Sequence, residues 1–289
     1  MERDRSLPWS SLGRTLDFRL ANHRWMAGLV VLGAAVAAAA ELLQAQLILD
    51  VGIAAFTTGA AVFLGWAIGR ELDPDHPRSA LMAGIGSGAA ALMVGSPSII
   101  ISGWALVMTR LIARTTGAPA KPLDALGVLG VGVWLGLERT PVFTGLTALG
   151  LAIDGWLAPS QRRQKLAAVV AALLTPATGY WTPLVSQETQ SLAPLVLVVF
   201  VVLFGLFFAL PVGRGAVQAV GDYTGERLRT RRVRGGQIFA ALTVLLLLLI
   251  EGFDGLTAAG TLWAAAAGIT AFHLLAVVGS RLRRNRGNS

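Results

Sequence analysis

Residues 236–253 read GQIFAALTVLLLLLIEGF, and no charge interrupts them before Glu251. A helix rises 1.5 Å per residue, so this run reaches about 27 Å, close to the roughly 30 Å hydrocarbon core of a bilayer. Reading outward for similar runs gives ten, at approximately 25–44, 46–69, 79–95, 97–113, 123–138, 142–158, 165–183, 193–212, 236–253 and 256–279. The expected fold is an all-α integral membrane protein, a polytopic bundle of about ten transmembrane helices.

Composition agrees. Hydrophobic residues make up 54% of the 289 and charged residues only 14%, against about 25% charged in soluble domains. The mean hydropathy is +0.65. A chain this poor in charge cannot cover itself with a water-facing surface, which excludes a soluble enzyme fold as the main body. Intrinsic disorder needs few apolar residues and is excluded too. There is no cysteine, hence no disulfide, thiolate metal site or cysteine nucleophile. There are only three histidines, His23, His76 and His273, and no multi-histidine metal site or haem pair is expected from them. The bias to Ala, Gly, Leu and Arg suggests a GC-rich prokaryote and its cytoplasmic membrane.

Charge supplies an independent reading. With the N-terminus inside, 23 of the 24 Lys and Arg fall in the N-terminal tail, the even-numbered loops and the C-terminal tail. Arg139, beside Glu138, is the exception. Basic residues accumulate on the cytoplasmic side, so both termini are expected there, with an even number of crossings. The net charge of +8 then orients the protein and implies no nucleic acid. The expected partners are the bilayer and anionic lipids at its cytoplasmic face. Runs three to six are short, and either pair, 79–95/97–113 or 123–138/142–158, also fits a re-entrant hairpin; one such hairpin would leave eight true spans.

The chain divides into a cytoplasmic tail (1–24), a transmembrane domain (25–279) and a basic cytoplasmic tail (280–289). The first run is read as an uncleaved span, because 24 residues precede it, long for a signal n-region. Within the tail, Trp9, Leu12, Leu16 and Leu20 share a helical face, which reads as an interfacial amphipathic helix. No repeat is visible, including a five-plus-five duplication. Pairs Gly65/Gly69, Gly84/Gly88 and Gly132/Gly136 are spaced for close helix contact. Pro176 and Pro211 mark kinks or ends, and Tyr180 and Trp181 suit an interfacial belt before the external loop 186–190.

Two polar segments carry possible chemistry. The loop 69–78, GRELDPDHPR, holds Glu71, Asp73, Asp75 and His76, acids that topology does not require. Such carboxylates can converge on Mg²⁺ bridged to a phosphate. The plainer reading has Asp73 and Asp75 capping the next helix and pairing with Arg70 and Arg78. The loop 213–235 holds Asp222 and Glu226, four apart and so on one face of a helix, with Arg227, Arg229, Arg231, Arg232 and Arg234. Arginines here bind phosphate or anionic heads, or simply anchor the topology. Asp73, Asp75 and Asp222 form the candidate metal set.

Together these acidic segments resemble, in motif type, the aspartate-rich loops of UbiA-type prenyltransferases. In that family such loops hold Mg²⁺ and a prenyl diphosphate. The likeness covers about 20 residues, and the family's Asn-Asp-x-x-Asp-x-x-x-Asp pattern is absent, with Gly69 and Arg70 near the Asn-Asp positions. The chain is not assigned to that family.

Glu251, after Leu245–Ile250, and His273, mid-span, are the intramembrane candidates for substrate or proton handling, with Arg227, Arg229, Arg231 and Arg232 for substrate binding. Asp124 and Asp154 lie near predicted helix ends. Three function classes follow. The first is a small-molecule or ion transporter. The second is an enzyme acting on a phosphorylated lipid or prenyl diphosphate at the cytoplasmic face, with Mg²⁺ as its implied cofactor. The third is a structural subunit of a membrane complex.

Overall fold

A computed structural model describes residues 10–182, 194–212 and 215–287. Among these it is helical, with ten α-helices and no β-strand. They are α1 (Ala21–Leu43), α2 (Ile48–Leu72), α3 (Pro77–Met93), α4 (Ile99–Ala113), α5 (Pro122–Glu138), α6 (Val142–Trp156), α7 (Arg162–Trp181), α8 (Pro194–Phe207), α9 (Thr230–Ala258) and α10 (Gly260–Gly287). A π-helical turn, Phe208–Val212, follows α8 and contains Pro211. Pro176 lies inside α7.

Among the described residues, four helices are long and apolar enough to cross a membrane: α1, α2, α9 and the Gly260–Leu282 part of α10. Helices α3 to α6 run only 17, 15, 17 and 15 residues. Large apolar side chains face outward, including Leu43 at 89% and Ile48 at 87% exposure. That pattern suits lipid contact better than water.

The helices group into two compact units of five. One comprises residues 1–17, 98–192 and 216–259, and thus α4 to α7 and α9. The other comprises 18–97, 193–215 and 260–289, with α1 to α3, α8 and α10. The sequence shows no trace of this division, because each unit is discontinuous in the chain.

Small residues set the close helix contacts, as their spacing predicts. In the second unit Gly69 of α2 faces Ala80 and Ala83 of α3, and a Cβ on Gly69 would lie 2.7 Å from that of Ala83. Gly65 faces Ser87 one turn away, and Gly84 of α3 faces Val62 and Trp66. In the first unit Gly132 and Gly136 of α5 face Thr147 and Thr144 of α6.

Two expectations are corrected. Residues 10–20 are not helical, so the described part of the amphipathic segment is not a helix. Trp9 lies outside the described residues. Other elements take the polar groups that a helix would use. Ser10 and Ser11 donate to Asp124 through both hydroxyls and the Ser11 amide. The Leu12 carbonyl accepts from Arg110, and the Gly13 carbonyl accepts from the Tyr223 hydroxyl.

Second, Asp222 and Glu226 do not share a helix face. They lie in a tight turn closed by Gly221 N–H to the Glu226 carbonyl (2.8 Å) and Leu228 N–H to the Ala219 carbonyl (2.9 Å). Helix α10 continues through the basic stretch after 279 to Gly287. The loop 186–190 lies outside the described residues.

Candidate functional site

The loop after α2 is shaped by its prolines. Pro74 lacks the N–H that would continue the helix, and Pro77 starts α3 at its first turn, where that N–H is not needed. Asp73 therefore sits at the C-cap of α2 and His76 at the N-cap of α3. The turn between them, closed by His76 N–H to the Asp73 carbonyl, brings His76 Nδ1 to 2.8 Å from Asp73 Oδ1.

The third member comes from a distant helix. Helix α10 packs on α3, where Gly86 and Gly268 permit close backbone approach. His273 of α10 is 1% exposed, and its Nε2 lies 2.8 Å from Asp73 Oδ2. The His76 and His273 rings meet edge to face at 4.8 Å. One nitrogen of each histidine and a carboxylate oxygen of Asp73 all lie within 4.8 Å of one another, a group able to hold a metal ion.

Burial pushes the Asp73 carboxyl up. Hydrogen bonds from His273, His76 and Ser79, with the charge of His76, outweigh it and hold the carboxyl below its ordinary value. A carboxylate kept ionised is the form a metal ligand requires. The remaining histidine lies near the same helix end: His23 of α1 meets Arg70 of α2 at 3.1 Å and the Trp66 ring edge-on.

The plainer reading of this loop is corrected. Asp73 pairs with two histidines and sits at the C-cap of α2; it does not cap the next helix, where His76 is the N-cap of α3 without a side-chain cap. Glu71 is buried (1% exposed) in the last turn of α2, and Asp75 is half-buried on the turn. Two of the three histidines, far apart in sequence, come together in one cluster.

Of the candidate metal residues, only Asp73 belongs to a metal-capable group among the described residues. Asp73 is joined by His76 and His273, while Asp222 is ion-paired with Arg14 at 2.6 Å. Imidazole nitrogens suit Zn²⁺ or Fe²⁺ and the carboxylate also suits Mn²⁺, whereas Mg²⁺ prefers oxygen throughout.

The first unit holds a polar centre that sequence reasoning passed over. Asp154 lies in the last turn of α6 and is fully buried. Its Oδ1 accepts from Arg114 Nε (2.9 Å) and Arg232 Nη1 (2.6 Å). Arg114 is the left-handed C-cap of α4 (φ 51°, ψ 45°), and Arg232 lies in the first turn of α9. Arg232 also donates to the carbonyls of Ile112, Asp154, Leu157, Ala158 and Pro159. It thus ties the ends of α4, α6 and α9 together, a structural role that leaves it little to offer a substrate.

The other candidates are placed more simply. Glu251 pairs with Arg139 at 2.8 Å, one residue before Gly252 (φ 60°, ψ −128°) kinks α9. Arg227 donates from Nε to the Val217 carbonyl, Arg229 is the N-cap of α9, and Arg231 is exposed.

No family model, curated protein or solved structure matches this chain. The fold and composition define only a class: an all-helical, largely apolar protein of membrane type.

Proposed function

We propose that this protein is an ion transporter of a prokaryotic cytoplasmic membrane, and that its cargo is a divalent transition-metal cation bound by Asp73, His76 and His273. One observation carries the reading. His273, buried on an otherwise apolar membrane-type helix, is bonded to a carboxylate and lies beside a second imidazole. Ionisable side chains inside membrane helices are costly and mark ion and substrate pathways. Two imidazoles and one carboxylate select borderline divalent metals over Mg²⁺ and Ca²⁺. His273, an intramembrane candidate, and Asp73, a metal candidate, thereby become parts of one site. Glu251, paired with Arg139, is given no role in this reading.

The test is uptake of Zn²⁺ or Mn²⁺ into proteoliposomes containing a metal-responsive dye. Uptake above empty liposomes, lost in Asp73→Asn and His273→Ala and kept in Glu251→Gln, supports transport. Uptake no faster than in empty liposomes contradicts it.

A second reading, an enzyme acting on a phosphorylated lipid at the cytoplasmic face, is favoured by the 42% exposure of the His76 side chain. That exposure leaves one side of a bound metal open to a substrate phosphate. It predicts metal-dependent turnover of a phosphorylated lipid with no metal flux.

A further inference from the structure

The first unit contains a small cavity of about 120 Å³ at the start of α9. Arg114, Arg227, Arg229 and Arg232 line it, with Thr224 and Glu226. Four guanidinium groups face two carboxylates there, counting the Asp154 that holds Arg114 and Arg232. The cavity is therefore net positive.

Its two halves differ. Arg114 and Arg232 are at least nine-tenths buried, and their donors are largely occupied by Asp154 and main-chain carbonyls. They cannot swing away, and they supply a fixed positive field in a poorly solvated wall. Arg227 and Arg229 are exposed at the rim. The bond from Arg227 Nε to the Val217 carbonyl, 2.6 Å, orients that side chain and leaves both terminal amino groups outside the bond. Charge-assisted, forked donation is how arginine recognises phosphate oxygens. The first turn of α9, 29 residues long and without a side-chain cap, adds its positive end.

We infer that this cavity binds a phosphate group, carried either by a phospholipid head or by a small soluble phosphate. Arg227 and Arg229 grip the group, and Arg114 and Arg232 provide the charged floor. The site is independent of the metal reading, since it uses none of its residues.

The neighbouring arginine gives a charge-matched control. Arg231 is exposed, two residues from Arg229, and does not line the cavity. The experiment uses purified full-length protein with two probes. Inorganic phosphate is titrated by calorimetry. Phosphatidylglycerol is scored by retention in native mass spectrometry from mixed phosphatidylcholine–phosphatidylglycerol nanodiscs.

The expected result is at least a tenfold loss of affinity for one probe in Arg229→Ala and in Arg227→Ala, with Arg231→Ala unchanged. A loss on the lipid probe assigns a headgroup, and a loss on inorganic phosphate assigns a soluble ligand. Equal losses in Arg229→Ala and Arg231→Ala would mean diffuse surface charge and overturn the site. Absence of binding to either probe overturns it as well.

Discussion

His273 and Asp73 stand two hundred residues apart in the chain, yet His273 Nε2 lies 2.8 Å from Asp73 Oδ2 in a buried pair. The contact joins α10 to the end of α2. Its other half, from Asp73 Oδ1 to His76, reaches a partly exposed ring. One imidazole of the cluster is buried and the other partly exposed, the arrangement on which the proposed metal binding rests.

The Asp154 centre predicts a stability effect separate from function. Asp154→Asn leaves Arg114 and Arg232 buried without a counter-charge. Breaking a buried ion pair in this way costs about 3–5 kcal/mol. Thermal unfolding in detergent will show a clear fall in melting temperature. Arg231→Ala, on the exposed side of the same turn, will change stability by less than about 0.5 kcal/mol.

The α2–α3 contact predicts opposite outcomes at two glycines. A Cβ at Gly65 would collide with the Ser87 side chain, so Gly65→Ala costs about 1–3 kcal/mol through overpacking. Gly103 of α4 has open space where a Cβ would go. Gly103→Ala is expected to be neutral or to gain up to about 1 kcal/mol of helix propensity. Unfolding curves of both variants in one detergent decide it. Equal effects would refute the close packing.

Absence of cysteine makes the topology directly measurable, since any introduced cysteine is unique. The charge pattern predicts that Arg78→Cys and Arg163→Cys react with an impermeant maleimide only from the cytoplasmic side. Ser96→Cys and Glu138→Cys will react from the outside if the short helices α3 to α6 cross fully. Labelling of Ser96→Cys only from the cytoplasmic side would make α3 and α4 a re-entrant pair.

The helical, apolar class was legible because it rests on features spread along the chain: apolar runs and small-residue spacing. Ten runs correspond to ten helices, and Gly65, Gly69, Gly132 and Gly136 sit where close contacts form. Pairings that depend on tertiary arrangement were hidden. Asp73 stood out as an acid that topology did not require, but nothing local ties it to His273. Asp154 looked like a helix-end acid because Arg114 and Arg232, 40 residues before and 78 after it, come together only when α4, α6 and α9 pack. The segment 10–14 misled for a related reason. Its apolar spacing favours a helix, and Asp124, Arg110 and Tyr223 capture its polar groups instead.

The most direct measurement is equilibrium binding of Zn²⁺ and Mn²⁺ to the purified full-length protein, with bound metal counted by elemental mass spectrometry. One ion per chain is predicted. Asp73→Asn and His273→Ala should each weaken binding by at least about 100-fold, beyond the roughly 10–100-fold typical of losing a group that only orients a ligand. Asp75→Asn and Glu251→Gln should leave it unchanged. A wild-type protein that binds neither ion, or one whose affinity survives both Asp73→Asn and His273→Ala, would contradict the metal site and the function built on it.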